Sequence, residues 1–186
     1  MNDERPKVKA PSGPLGPAAA GSGEKEAVVR VELKRASAVD LVRADKVLSG
    51  CAFVASLGAR ANEVLGKGVV RRSPDKVVIF QKGDAGGALL LVLAGEVRLL
   101  GRKGPDQVEL GSARRGDVFG ETEVTAGTSV RSCSAVAHGT VDFVELPREA
   151  LLLSGTLPRP ISQVLEAVTR SRTAQLDEMA DFLNRW

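Results

Sequence analysis

Between Val69 and Leu146 the apolar residues fall into short runs broken by turn-forming residues, and no other feature limits the fold of this chain as much. Val69-Val70 and Val77 to Phe80 are separated by Ser73-Pro74-Asp75, a turn signal between two strands. Leu89 to Leu93 is apolar at every position, as expected of a strand covered on both faces. Ala94-Gly95-Glu96 turns the chain into Val97 to Leu100, and Lys103-Gly104-Pro105-Asp106 turns it into Val108 and Leu110. Ala135 to His138 and Val141 to Leu146 end the series, with Gly139 between them. Short strands at regular turn spacing predict an all-β sandwich or barrel.

Helical spacing appears only on either side of this region. Residues 1–25 carry four prolines and four glycines, one leucine and no aromatic residue. Such a stretch cannot bury enough apolar surface to offset its ordering entropy, so a disordered tail is expected. Residues 26–47 read as a short strand, with Val29, Val31 and Leu33 alternating against polar neighbours, and then a helix. Ser37 stands three residues before Asp40 and is placed to cap that helix. Cys51 to Leu65 reads as further helix, closed by Gly66 and Gly68. After the strands, Pro158 and Pro160 open a last helix, where missing N–H groups cost nothing. Ile161, Val164, Leu165, Val168, Leu176, Met179, Phe182, Leu183 and Trp186 give it an apolar stripe. That stripe either packs on the barrel or serves as a dimer seam or a lid.

Composition removes several classes of function. With 186 residues, the chain has room for one domain plus ornaments, or for two very small domains. The net charge of +3 is spread rather than blocked, which argues against a nucleic-acid backbone as the main partner. Cys51 and Cys133 are far apart and form neither a disulfide framework nor a metal pattern; both read as small apolar groups. No apolar run is long enough to span a membrane and no secretory segment opens the chain, so the cytoplasm is the expected location. His138 is the sole histidine and no nucleophile or carboxylate cluster accompanies it, so no enzyme is expected.

The chemistry lies in Gly116-Asp117-Val118-Phe119-Gly120-Glu121 and, ten residues on, Val130-Arg131-Ser132-Cys133-Ser134. Glycines let backbone N–H groups approach an anion without a Cβ in the way. A helical turn starting near Gly120 would aim unpaired N–H groups at it. Arg131 supplies a guanidinium suited to phosphate oxygens, Ser132 a hydroxyl and Glu121 an acceptor for a ribose hydroxyl. The order FGE…RS resembles the phosphate-binding cassette of the cyclic-nucleotide-binding domain family. The strand ending in Gly83-Asp84 and the hairpin around Gly95-Glu96 stand in that family's order.

The resemblance covers roughly Leu48 to Trp186, and residues 48–186 are therefore taken as the domain with its C-terminal helix. It implies an α+β, mainly β fold: a jelly-roll β-barrel of about eight strands, flanked by N-terminal helices and a long C-terminal helix. It implies cAMP or cGMP as ligand, with no other cofactor and no metal. The binding residues it implies are Phe119, Gly120, Glu121, Thr122, Arg131, Ser132 and Cys133. Gly120 and Ser132 would meet the phosphate with Arg131, and Glu121 the ribose 2′-hydroxyl. The family's adenine contact falls on Leu176 and Asp177, with Thr173 and Gln175 within a turn. Where the family has an apolar residue after Gly-Glu, this chain has Thr122 and then Glu123, a negative charge beside an anion site. The expected role is a cytoplasmic sensor that signals through its last helix to a partner protein or a second copy. A nucleotide-independent interaction or scaffold module is the alternative, and DNA binding is disfavoured.

Overall fold

A computed structural model describes residues 31–32, 37–103, 106–128 and 130–184. The expectations for residues 1–25, for Val29 and Leu33, for Gly104-Pro105 and for the side chains from Gln175 onward lie outside those described.

The chain enters through a two-residue strand, β1 (Val31–Glu32), and then a run of short helices. α1 (Ala38–Ala44) starts where expected, with the Ser37 hydroxyl accepting from the Asp40 N–H at 3.1 Å. The single helix expected after Ser37 is broken. Asp45 accepts from the N–H groups of Val47 and Leu48 and starts a new helix, α2 (Lys46–Gly50), leaving Val47 exposed. The helix expected over Cys51 to Leu65 is also two pieces, α3 (Ala52–Leu57) and α4 (Ala61–Gly66). A 3-10 turn over Gly58–Arg60 separates them, and the Gly58 φ of +53° lies in the left-handed region that interrupts a helix.

Seven strands then form one antiparallel sheet whose path runs β1-β2-β7-β4-β5, with β3 on β7 and β6 on β4. They are β2 (Val69–Ser73), β3 (Val78–Phe80), β4 (Ala88–Lys103), β5 (Asp106–Arg114), β6 (Val118–Phe119) and β7 (Ser134–Pro147), after β1. The fold is the expected mainly β architecture, but with seven strands among the described residues rather than about eight, and the path does not close on itself. The count falls because two expected turns are not turns. Gly95 (φ +84°) sits inside a continuous 16-residue β4, and Gly139 (φ +73°) inside a continuous 14-residue β7. Both register shifts of the β4–β7 pairing lie between Val92 and Glu96, so the glycine bends the strand without ending it.

The apolar run in β4 separates two cores. Leu89, Leu91 and Leu93 face a cluster built with the helices, including Phe53, Leu57, Leu65, Ile161 and Leu165. Leu90 and Val92 face the barrel interior with Ile79, Phe80, Phe119 and Phe143. This is the two-sided burial that the uninterrupted apolar sequence predicts. α5 (Glu121–Ala126) follows β6, and α6 (Arg148–Leu151) follows β7. α7 (Arg159–Asn184) starts beside Pro158, whose carbonyl accepts from the N–H groups of Ile161 and Ser162. Its first half packs by Ile161 and Leu165 on the helical cluster, and its Thr169–Thr173 turn crosses above α5 and β6.

Candidate functional site

The cassette is assembled by two turns that grip Arg131 from behind. In the first, Asp84 accepts from the Gln81 N–H at 2.8 Å. The carbonyl of Asp84 then accepts from the Arg131 N–H at 2.9 Å, and the Gly83 N–H donates to the Arg131 carbonyl at 2.9 Å. The Gly83-Asp84 pair therefore fixes the backbone of an arginine far along the chain. In the second, Gly120 adopts φ +74°, and a Cβ there would overlap Nη1 of Arg131. The glycine is what lets the guanidinium lie against the start of α5.

Arg131 is 5% exposed and its side chain is almost fully engaged. Nη1 donates to Oε2 of Glu123 at 3.0 Å, and Nη2 donates to the Ala88 carbonyl at 3.0 Å. The guanidinium lies 4.2 Å from the centroid of the Phe80 ring, within cation–π range. Nε has no hydrogen-bond partner among the described residues. Glu123, 2% exposed, is the anion on which the cassette converges. Besides Arg131 it accepts from the Ser132 N–H and the Ser132 hydroxyl, each at 2.8 Å to Oε1. Burial works against its ionisation, but the two Ser132 bonds and the Arg131 charge outweigh it, holding this carboxyl below its ordinary value of 4.5.

Glu121, 3% exposed, faces the other way. Its Oε2 contacts Nη1 of Arg172 on α7 as an ion pair, and Nη2 of Arg172 donates to the Val118 carbonyl at 2.6 Å. The contact is ionic rather than a directed hydrogen bond, since Nη1 finds no acceptor in hydrogen-bonding geometry.

A cavity of about 180 Å³ opens between the cassette and α7. Of the seven residues expected at a ligand, it brings together Gly120, Glu121, Thr122, Ser132 and Cys133, adding Glu123 and, from α7, Thr169, Arg172 and Thr173. Arg131 lies behind this lining. Phe119 is fully buried and packs between Phe80 and Phe143 in the barrel interior. Thr122 does not cap α5, whose N-cap is Gly120 without a side-chain bond. Burial, with the charges of Glu123 and Glu121 adding to it, pushes the Cys133 thiol up to about 11, so it is not a thiolate nucleophile near neutral pH. His138 stands exposed at the bend of β7.

Sequence reasoning missed Arg172 and the carbonyl of Ala88. One signal was available for the first: Thr169, Arg172 and Thr173 stand three and four apart, so they share a helix face. Among the described residues there is no cluster of three or more metal-ligating side chains. No helix among them is long and apolar enough to cross a membrane.

Residues 70–153 match the family model described as Cyclic nucleotide-binding domain. Among solved structures, the chain is similar to the regulatory domain of Toxoplasma gondii PKA with cAMP, at TM-score 0.59 and 18% identity. That match covers 74% of this chain and 50% of the other, so the chain spans half the length of that relative. It is similar to a cyclic nucleotide-binding domain from Methylobacillus flagellatus, at TM-score 0.60 and 22% identity, covering 84% and 88%. It is also similar to the Thermus thermophilus Catabolite Activator Protein, at TM-score 0.55 and 29% identity, covering 69% and 62%. No curated protein sequence matches it. In the order of its motifs, in its family match over residues 70–153 and in its fold, the chain resembles the cyclic nucleotide-binding domain family.

Proposed function

We propose that this chain is a cyclic-nucleotide sensor, for cAMP or cGMP, that signals through α7 to a partner protein. One observation carries the reading: Arg131 Nη1, the Ser132 N–H and the Ser132 hydroxyl all donate to a single anion inside the cassette. That is the donor set a cyclic phosphate needs, and a neutral interaction surface does not require it. Glu121 is the acceptor for a ribose hydroxyl, and its present partner is Arg172 of α7. A sugar hydroxyl at Glu121 and the guanidinium of Arg172 thus compete for the same carboxylate, which ties ligand occupancy to helix position. The cavity of about 180 Å³ is smaller than the roughly 300–1,000 Å³ of small-molecule sites, so binding requires α7 to move outward. The ligand then selects the helix position in which it makes more contacts.

A second reading has its own support. Glu123 with Arg131, and Glu121 with Arg172, already cancel in charge. A cassette balanced in this way suits a nucleotide-independent interaction module.

Calorimetric titration with cAMP and cGMP separates the two. The sensor reading expects submillimolar binding by the wild-type chain and loss of it in Arg131→Ala. Truncating one partner of a buried charge pair costs about 2–5 kcal/mol, or roughly thirty- to several-thousand-fold in affinity. Arg131→Lys should restore binding in part, because an ammonium lacks the planar fork. A wild-type chain that ignores both nucleotides at millimolar concentration overturns the sensor reading and leaves the module.

A further inference from the structure

The residue at the centre of the cassette is one that its chemistry does not call for. A phosphate seat needs donors, and Glu123 is an acceptor with a full negative charge. The structure nevertheless directs three donors onto it and buries it to 2% exposure. A cyclic phosphodiester and a carboxylate each carry one negative charge and can each take two parallel hydrogen bonds from a guanidinium. As an ion pair Glu123 meets neither α7 nor the barrel lining, only Arg131. Gly86 and Gly120 leave room for the guanidinium on two sides, since a Cβ at Gly86 would stand 3.1 Å from Cδ of Arg131 and one at Gly120 would overlap Nη1. The fit to the carboxylate is incomplete, because Nε of this buried arginine is left without a partner.

From this we infer that Glu123 is a tethered occupant of the phosphate seat, a built-in anion that any phosphate-bearing ligand must displace. The inference rests on the sensor reading for the identity of that ligand, but not for the existence of the seat. A group held in place by its own backbone competes at an effective concentration of millimolar or more. The apparent affinity of an incoming ligand falls by the fraction of molecules in which the seat is open. An open fraction of about one in ten would weaken the apparent affinity about tenfold. The residue thus sets the threshold at which the site responds, and its replacement lowers that threshold.

The test compares the wild-type chain, Glu123→Ala, the near-isosteric Glu123→Gln, and the double variant Glu123→Ala/Arg131→Ala, with circular dichroism confirming the fold of each. Each is titrated calorimetrically with cAMP and cGMP, and its thermal midpoint is followed as inorganic phosphate is added. Expected are cyclic-nucleotide binding at least about tenfold tighter in Glu123→Ala than in the wild type, a smaller gain in Glu123→Gln, and loss in the double variant. Phosphate should raise the thermal midpoint of Glu123→Ala and leave the wild type and the double variant unmoved. If Glu123→Ala gains phosphate stabilisation but no variant takes a cyclic nucleotide, the tethered occupant stands and the sensor reading falls. If the wild type binds nucleotide and neither Glu123 variant binds it more tightly, the inference falls and the sensor reading stands. If no variant responds to any of these anions, both fall.

Discussion

The two acidic residues of α5 stand two positions apart, and their surroundings differ in kind. Glu123 is closed within the cassette: its partners Arg131 and Ser132 are eight and nine residues away, and it accepts three hydrogen bonds from them. Glu121 is bound to another element altogether, the α7 helix, through a contact with Arg172 whose side chain is 16% exposed. The inner pair holds the shape of the cassette. The outer pair holds the relation between cassette and helix.

Breaking the inner pair should have the largest effect. Arg131→Ala leaves a carboxylate buried without its cation, a loss of about 3–5 kcal/mol in unfolding free energy, read from urea denaturation. Removing both charges in Glu123→Ala/Arg131→Ala should recover much of that, because the desolvated charges disappear together. If the double variant is as unstable as Arg131→Ala, the pairing energy has been assigned to the wrong partner. Breaking the outer pair should cost less, about 1–3 kcal/mol for Arg172→Ala, since it strands Glu121 and frees the Val118 carbonyl. Its signature is regional: faster amide hydrogen exchange around Thr169 to Thr173, with the barrel amides unchanged. Equal acceleration throughout would mean that the two regions are a single unit. The smallest effect concerns pH. The native pKa of Glu123 lies below the ordinary 4.5, so its share of stability is present above that value and is lost as pH falls below it. Glu123→Gln should therefore flatten the acid limb of a urea-midpoint profile below about pH 4.5.

What could be read from the sequence was whatever depends on local spacing. The Ser37 cap, the proline start of α7 and the two-sided burial of Leu89 to Leu93 follow from neighbours on the chain. The cassette residues came from the resemblance of FGE…RS to a family motif, and of them Gly120, Glu121, Thr122, Ser132 and Cys133 line one cavity. What escaped depends on distance. Arg172 meets Glu121 only because α7 folds back over the cassette, and no local pattern encodes that approach. Glu123 was visible as a charge beside an anion site, but its role as the anion required the geometry. The strand count came out high because Gly95 and Gly139 look like turns in sequence, while in the sheet each is a bend that pairing continues through.

The central run of β4 has a further consequence, for how the chain reaches its native state. From Leu89 to Leu93 there are five consecutive apolar residues without a charge or a proline, and in the finished molecule neither face of that run meets water. A strand with a solvent face can carry a lysine or glutamate that discourages pairing with other chains; this one has no position to spare for such a gatekeeper. Until both layers are in place, it is the segment of the described chain most prone to self-association. Chain order limits the exposure. Part of one cover, the helices from Ala38 to Gly66, precedes the strand and is synthesised before it appears, while Ile161 and Leu165 of α7 complete that cover later. The other cover, on the barrel side, includes Phe119 and Phe143 and must wait for β6 and β7. Until β6, β7 and α7 are made the unfinished sheet is shielded in part and on one side only, and chaperone binding to the nascent protein should be concentrated there.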